Sequence, residues 1–160
     1  MNIKLLYCLP PKMYHFDFIR SMNSSITSIV LPDCTCNDVD YTIFAFSRFT
    51  EIESIEIGNH CFESVKTFNI DGLNRLKTIK IGYNSFTQKK NGFGDDESKS
   101  FHILNCESLE SIEIGQYSFS DFGGEFELKN LPQLQSIQIG SYNFFCSSFV
   151  VRGIELILNI

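Results

Sequence analysis

His102 and Cys106 stand four residues apart, a spacing at which an imidazole can draw the proton from a thiol and leave a nucleophile. Cys34 and Cys36 flank a single residue and could offer two thiolates to a metal. Asp95-Asp96-Glu97 sets three carboxylates in a row, the charge that a hard cation needs. Each falls short of its chemistry. His102 is the middle residue of Phe101-His102-Ile103, an alternation that turns it outward, while Cys106 fills an apolar slot, so the two side chains should diverge. A zinc site at Cys34 and Cys36 needs a second pair of ligands; His15 is the nearby imidazole, and no C-x-x-C occurs. The acidic triplet lacks the spaced oxygen ligands and fixed glycine of a calcium loop. Phosphate chemistry has no cradle either, since each glycine of the pattern closes a strand without opening a helix. The expectation is a protein that is not an enzyme and holds no metal or cofactor.

The elements around these residues are more telling. Four times a block opens on phenylalanine and closes on glycine fourteen positions later: Phe44–Gly58, Phe68–Gly82, Phe101–Gly115 and Phe126–Gly140, with a fifth block opening at Phe149. The apolar residues recur at fixed offsets, as in Phe68, Ile70, Leu73, Leu76, Ile79, Ile81 and Phe126, Leu128, Leu131, Leu134, Ile137, Ile139. A fixed length with a fixed pattern marks a repeat protein whose coils bury one another's apolar edges. Each coil holds two period-two alternations, Phe-x-Ile and Ser-Ile-x-Ile, both of which read as half-buried strands. Between them a kink slot holds Arg48, Gly72, Asn105, Asn130 and Gly153, mostly residues that tolerate positive φ. A phenylalanine four residues after each closing glycine (Phe62, Phe86, Phe119, Phe144) is expected to fold back into the core. Upstream, Ile26, Ile29 and Leu31 match the slots of Ile52, Ile55 and Ile57. They mark a degenerate first coil over 18–43, with clear coils from 44, an incomplete last coil ending at 160, and 1–17 as a lead-in or cap.

Stacked strands place equivalent outward residues in rows. One row reads Glu56, Lys80, Glu113, Gln138; beside it run Ser54, Thr78, Ser111, Ser136, and just before the strand Glu53, Lys77, Glu110, Gln135. Where charged neighbours meet their signs alternate, which holds register and keeps the face soluble; the sharper reading is a polar surface that docks a protein partner. The segment 87–100 is an insertion that other coils lack, polar and glycine-bearing, expected to project as a solvated loop. Phe93, flanked by glycines one residue to either side, is its candidate anchor for a partner.

Bulk properties narrow the partners. Thirteen basic against nineteen acidic residues give a net charge of −6, so nucleic acid is not expected. Sixteen phenylalanines with no tryptophan follow from the two phenylalanine slots in each coil, and the near absence of alanine leans toward strand. The six cysteines form no spaced framework; Cys106 and Cys61 sit in repeat slots and read as small buried hydrophobes in a reducing setting. No stretch has the length of a membrane span or the form of a secretory signal, and the default compartment is cytoplasmic. The apolar end Ile154–Ile160 has no polar cap, which leaves self-association through the last coil, or a longer adhesive surface protein, as the alternative expectation.

Asn105-Cys106-Glu107-Ser108-Leu109-Glu110-Ser111-Ile112-Glu113-Ile114-Gly115, followed by Gln116-Tyr117-Ser118-Phe119, resembles leucine-rich repeats of the BspA-like class. That resemblance covers roughly 18–160 and implies a recognition surface or scaffold. The slot of the usual asparagine ladder holds His60, Asn84, Tyr117 and Tyr142, and helix-forming residues are scarce. The expected fold is therefore mainly β: a leucine-rich-repeat-type parallel β-solenoid with two short strands per coil and little helix.

Overall fold

A computed structural model describes residues 25–89, 92, 94–144 and the backbone of 148–152. The lead-in, Phe93, Gly153 and the apolar end lie outside the described residues. Ten strands are present among the described residues: β1 (Ser28–Leu31), β2 (Ile43–Ala45), β3 (Ser54–Ile57), β4 (Thr67–Asp71), β5 (Thr78–Ile81), β6 (Ser100–Leu104), β7 (Ser111–Ile114), β8 (Glu125–Lys129), β9 (Ser136–Ile139) and β10 (Ser148–Arg152). Among the described residues there is no helix. Odd strands form one five-stranded sheet in the order β1-β3-β5-β7-β9, and even strands a second in the order β10-β8-β6-β4-β2. All pairings are parallel, so each coil gives one strand to each sheet. This is a parallel β-solenoid.

The register follows the sequence repeat. Ile55, Ile79, Ile112 and Ile137 are direct neighbours, Ile29 pairs with Ile55, and Leu31 with Ile57. On the other sheet Phe44, Phe68, Phe101 and Phe126 are aligned. Every repeat-slot apolar residue of the four blocks is buried except Ile139, which is partly buried.

Two columns of phenylalanine rings fill the interior. Phe44, Phe68, Phe101 and Phe126 stack face to face at centroid distances of 4.7, 4.6 and 4.9 Å. Phe62, Phe86, Phe119 and Phe144 stack likewise at 4.9, 4.6 and 5.0 Å. The columns meet edge to face, as in Phe68 against Phe86 at 5.2 Å and 86°. Offset stacks within columns and edge contacts between them are the two geometries that ring quadrupoles favour.

The closing glycines serve the stacking rather than the turn. None of the four has positive φ. A Cβ on Gly82 would lie 2.6 Å from the carbonyl carbon of Gly58, and one on Gly115 2.6 Å from that of Gly82. Coils touch backbone to backbone here. Gly82→Ala is expected to lower stability by about 1–3 kcal/mol through this overpacking, visible as a lower urea midpoint in a denaturation curve.

After each glycine the chain alternates in hand. The second and fourth residues have positive φ: His60 (55°) and Phe62 (57°), Asn84 (52°) and Phe86 (57°), Tyr117 (59°) and Phe119 (55°), Tyr142 (63°) and Phe144 (47°). Left-handed phenylalanine is unfavourable by roughly 1–2 kcal/mol. The hydrogen bonds explain the cost. His60 and Tyr117 donate their N–H to Tyr83 and Ser141 carbonyls of the following coil, while Phe62 and Phe86 donate to Thr35 and Cys61 of the preceding one. The alternation sends successive amides up and down the stack. At the kink slot Gly72, Asn105 and Asn130 also have positive φ, and Arg48 does not.

A hydroxyl ladder stands in for the missing asparagine ladder, one residue later. Ser85 Oγ donates to the Gly58 carbonyl (2.9 Å) and accepts from Cys61 N–H (3.1 Å). Ser118 Oγ donates to the Gly82 carbonyl (2.6 Å) and accepts from Ser85 N–H (3.0 Å). Asn143 Nδ2 continues it to the Gly115 carbonyl at 3.0 Å. Buried backbone groups that the turn would otherwise strand are thereby satisfied.

Candidate interaction surface

The outward row of the odd-stranded sheet is where the sequence placed it. Glu56, Lys80, Glu113 and Gln138 are consecutive register partners on β3, β5, β7 and β9, and all are exposed. Lys80 Nζ lies 3.5 Å from Glu113 Oε2, and Lys77 Nζ 3.2 Å from Glu53 Oε2 in the parallel row. Arg75 pairs with Glu51 in a third. These pairs are about half exposed, so each contributes roughly 0.2–1 kcal/mol. Ser28 and Ser54 begin the serine row with an Oγ to Oγ hydrogen bond of 2.8 Å. The face is paired strand to strand, polar, and nearly neutral along its charged row.

The structure separates the residues of the candidate thiol site. Cys106 is fully buried, its Sγ against the Leu104 carbonyl, and burial raises its thiol pKa. His102 is on the opposite side of β6's sheet, on the outward face, with Nε2 3.4 Å from Glu125 Oε2. His60 and Cys61 are adjacent in sequence and also part company. His60 Nε2 meets the Tyr83 hydroxyl at 2.9 Å, whereas Cys61 is buried with its Sγ on the Pro32 carbonyl. Cys36 is buried as well, and desolvation pushes its thiol up to about 12. Among the described residues no group of three or more His, Cys, Asp or Glu is arranged to hold a metal, and Asp95-Asp96-Glu97 forms no such group.

The insertion departs from expectation. Instead of projecting freely, its described part is seated on the next coil. Gly94 N–H bonds to Ser120, Asp96 N–H to Asp121, and Gly123 and Gly124 N–H return to Asp96 and Lys99. Thr87 and Ser120 hydroxyls meet in the interior at 2.9 Å. Lys99 Nζ contacts Asp121 Oδ2 at 2.7 Å with both side chains almost wholly buried, and lies 5.4 Å from the Phe122 ring centre. Gly123-Gly124 is the receiving seat: Cβ atoms there would strike Asp95 Oδ1 at 2.1 Å and the Lys99 carbonyl at 2.5 Å. The sequence signal was available, since Gly123-Gly124 breaks the repeat in the coil directly after the insertion.

A second surface was not foreseen. Along the turn edge, His60 meets Tyr83 edge-on at 4.6 Å, and Tyr117 stacks on Tyr142 at 4.8 Å. Tyr83 and Tyr142 are 44% and 57% exposed, which makes them two of the few large apolar side chains open to solvent among the described residues. Their signal was the pair of slots just after each closing glycine, of which only the second, holding Tyr117 and Tyr142, was considered above, as a failed asparagine ladder.

Comparison with known protein families, with curated proteins and with solved structures finds no match to this chain. Among the described residues no helix is long and apolar enough to cross a membrane.

Proposed function

We propose that this chain is a non-enzymatic recognition or scaffold module of the leucine-rich-repeat type, BspA-like in class, that docks a protein partner on its odd-stranded face. The observation carrying this reading is the exposed row Glu56, Lys80, Glu113, Gln138, held in register by four adjacent strands. A sheet whose backbone is pinned coil to coil presents side chains at fixed spacings of roughly 4.8 Å. That pre-ordering lowers the entropy cost of binding. The L-x-x-L-x-L spacing at Leu76, Ile79, Ile81 and the Gly-x-x-Ser-Phe turns support the class, with hydroxyls taking the role of the asparagine ladder. The paired signs in the row favour a partner of mixed charge over a strongly charged one.

Affinity capture from the source cell tests this. The wild-type chain is compared with a charge-reversed variant, Glu56→Lys, Lys80→Glu and Glu113→Lys, which keeps the alternation and therefore the fold. Recovery of a captured protein should fall by about tenfold or more in the variant. Equal recovery from both would remove the row from any docking role.

A further inference from the structure

We propose that the turn edge bearing His60, Tyr83, Tyr117 and Tyr142 is a binding ledge for a neutral oligosaccharide. This ledge is separate from the Glu56 row and does not depend on it. Three observations point to this chemistry. First, the edge presents partly exposed aromatic rings in two contacting pairs, His60 with Tyr83 and Tyr117 with Tyr142, on neighbouring coils. A pyranose ring carries a patch of weakly positive C–H bonds on one face, and the negative face of a tyrosine ring is its natural counterpart. Second, the polar groups beside the rings are uncharged: the Tyr83 hydroxyl, 2.9 Å from His60 Nε2, and the Asn59 carboxamide, whose Oδ1 accepts the Tyr83 N–H, each with a further donor or acceptor position to offer. Such groups donate and accept in equal measure, as sugar hydroxyls do.

Third, the alternatives lack partners. The left-handed turn uses its own amides: His60, Asn84 and Tyr117 N–H all bond to carbonyls of the following coil, and Tyr83 N–H to Asn59 Oδ1. An extended peptide would therefore find no free N–H at these positions with which to pair. The ledge residues include no lysine or arginine. Its one flanking carboxylate, Asp33, is bound by Asn59 through N–H (2.8 Å) and Nδ2 (3.1 Å), which holds its carboxyl below the usual range. An uncharged, hydroxyl-rich ligand is what these groups complement.

The chain has no tryptophan, and three of its six tyrosines, Tyr83, Tyr117 and Tyr142, are on the ledge, so the tyrosine fluorescence change lost in a Tyr83→Ala, Tyr142→Ala variant reports the ledge. The probes are cellohexaose, laminarihexaose, xylohexaose and mannohexaose, with decaproline as the peptide control, followed by fluorescence and calorimetry. At least one saccharide should bind with a Kd below about 1 mM. Tyr83→Ala with Tyr142→Ala should weaken it about tenfold or more, Tyr142→Phe should retain most of it, and Glu56→Gln should leave it unchanged. Saturation-transfer NMR on the wild-type chain, with ring protons of tyrosine as the source, gives a readout that needs no variant. Failure of all four saccharides to bind below about 5 mM would overturn the proposal. So would binding that survives the double variant, or decaproline competing for the same rings.

Discussion

Phe86→Ala should destabilise the chain by about 3–5 kcal/mol, the range for emptying a fully buried aromatic site. Phe86 is a ring with neighbours on every side. It stacks between Phe62 and Phe119 and takes edge contacts from Phe44 and Phe68. Its removal opens a gap in one column and strips the edge partner from the other. Collapse is blocked because the flanking coils are held apart by their own backbone pairing. The backbone offers no compensation: Phe86 has a φ of 57°, and alanine tolerates this region no better. Phe86→Leu, which refills much of the volume, should recover part of the loss. Chemical denaturation of the three chains measures this; a loss under about 1 kcal/mol for alanine would mean that the columns do not carry the core.

Lys99→Met should cost a comparable amount, about 3–5 kcal/mol, since it leaves Asp121 charged and buried without its cation. The rest of the site cannot compensate. Asp121 Oδ2 retains only the Gln88 N–H at 3.2 Å, and Oδ1 has no hydrogen-bond partner. The companion change Asp121→Asn removes the stranded charge. The double variant Lys99→Met with Asp121→Asn should regain most of the stability, because two charges taken out together cost far less than one alone. A double-mutant cycle from urea midpoints gives the coupling. Additive losses would show that the two groups do not act as a pair. The same reasoning revises the expectation for the insertion: a deletion of 88–98 should now lower stability, since it removes the described segment seated on Gly123-Gly124.

Much of the architecture was legible because a solenoid converts sequence period into spatial contact. The slots of Ile55, Ile79, Ile112 and Ile137 could be aligned by counting, and the sheet aligns them in the same way. Even the faint upstream coil was readable from Ile26, Ile29 and Leu31. The Glu56 row needed only the alternation of a strand. What escaped was chemistry that counts for little within one coil and arises between coils. A glycine at Gly82 looks like a bend, yet it is there because Gly58 lies against it. A serine at Ser118 looks like a small turn residue until its hydroxyl is seen bridging two neighbours. Left-handed phenylalanines run against residue preference, and no single-residue rule would place Phe62 or Phe119 there. The insertion misled for a related reason. Its charges suggested solvent, and only the counter-charge at Asp121, twenty-two residues away, makes burial of Lys99 tolerable.

Lys99 and Asp121 have one more consequence, for a molecule built from near-identical layers. Such a molecule risks threading its layers out of order, because each apolar slot would accept its neighbour's occupant almost equally well. In the position of Asp121, the earlier coils carry Ser64 and Gln88. A chain that skipped one layer would bring the ammonium group of Lys99 into a dry interior opposite a neutral residue. The resulting penalty is several kcal/mol, far above what any isoleucine-for-leucine mismatch could impose. One buried ion pair thus works as an index mark, telling otherwise interchangeable layers which of them comes next.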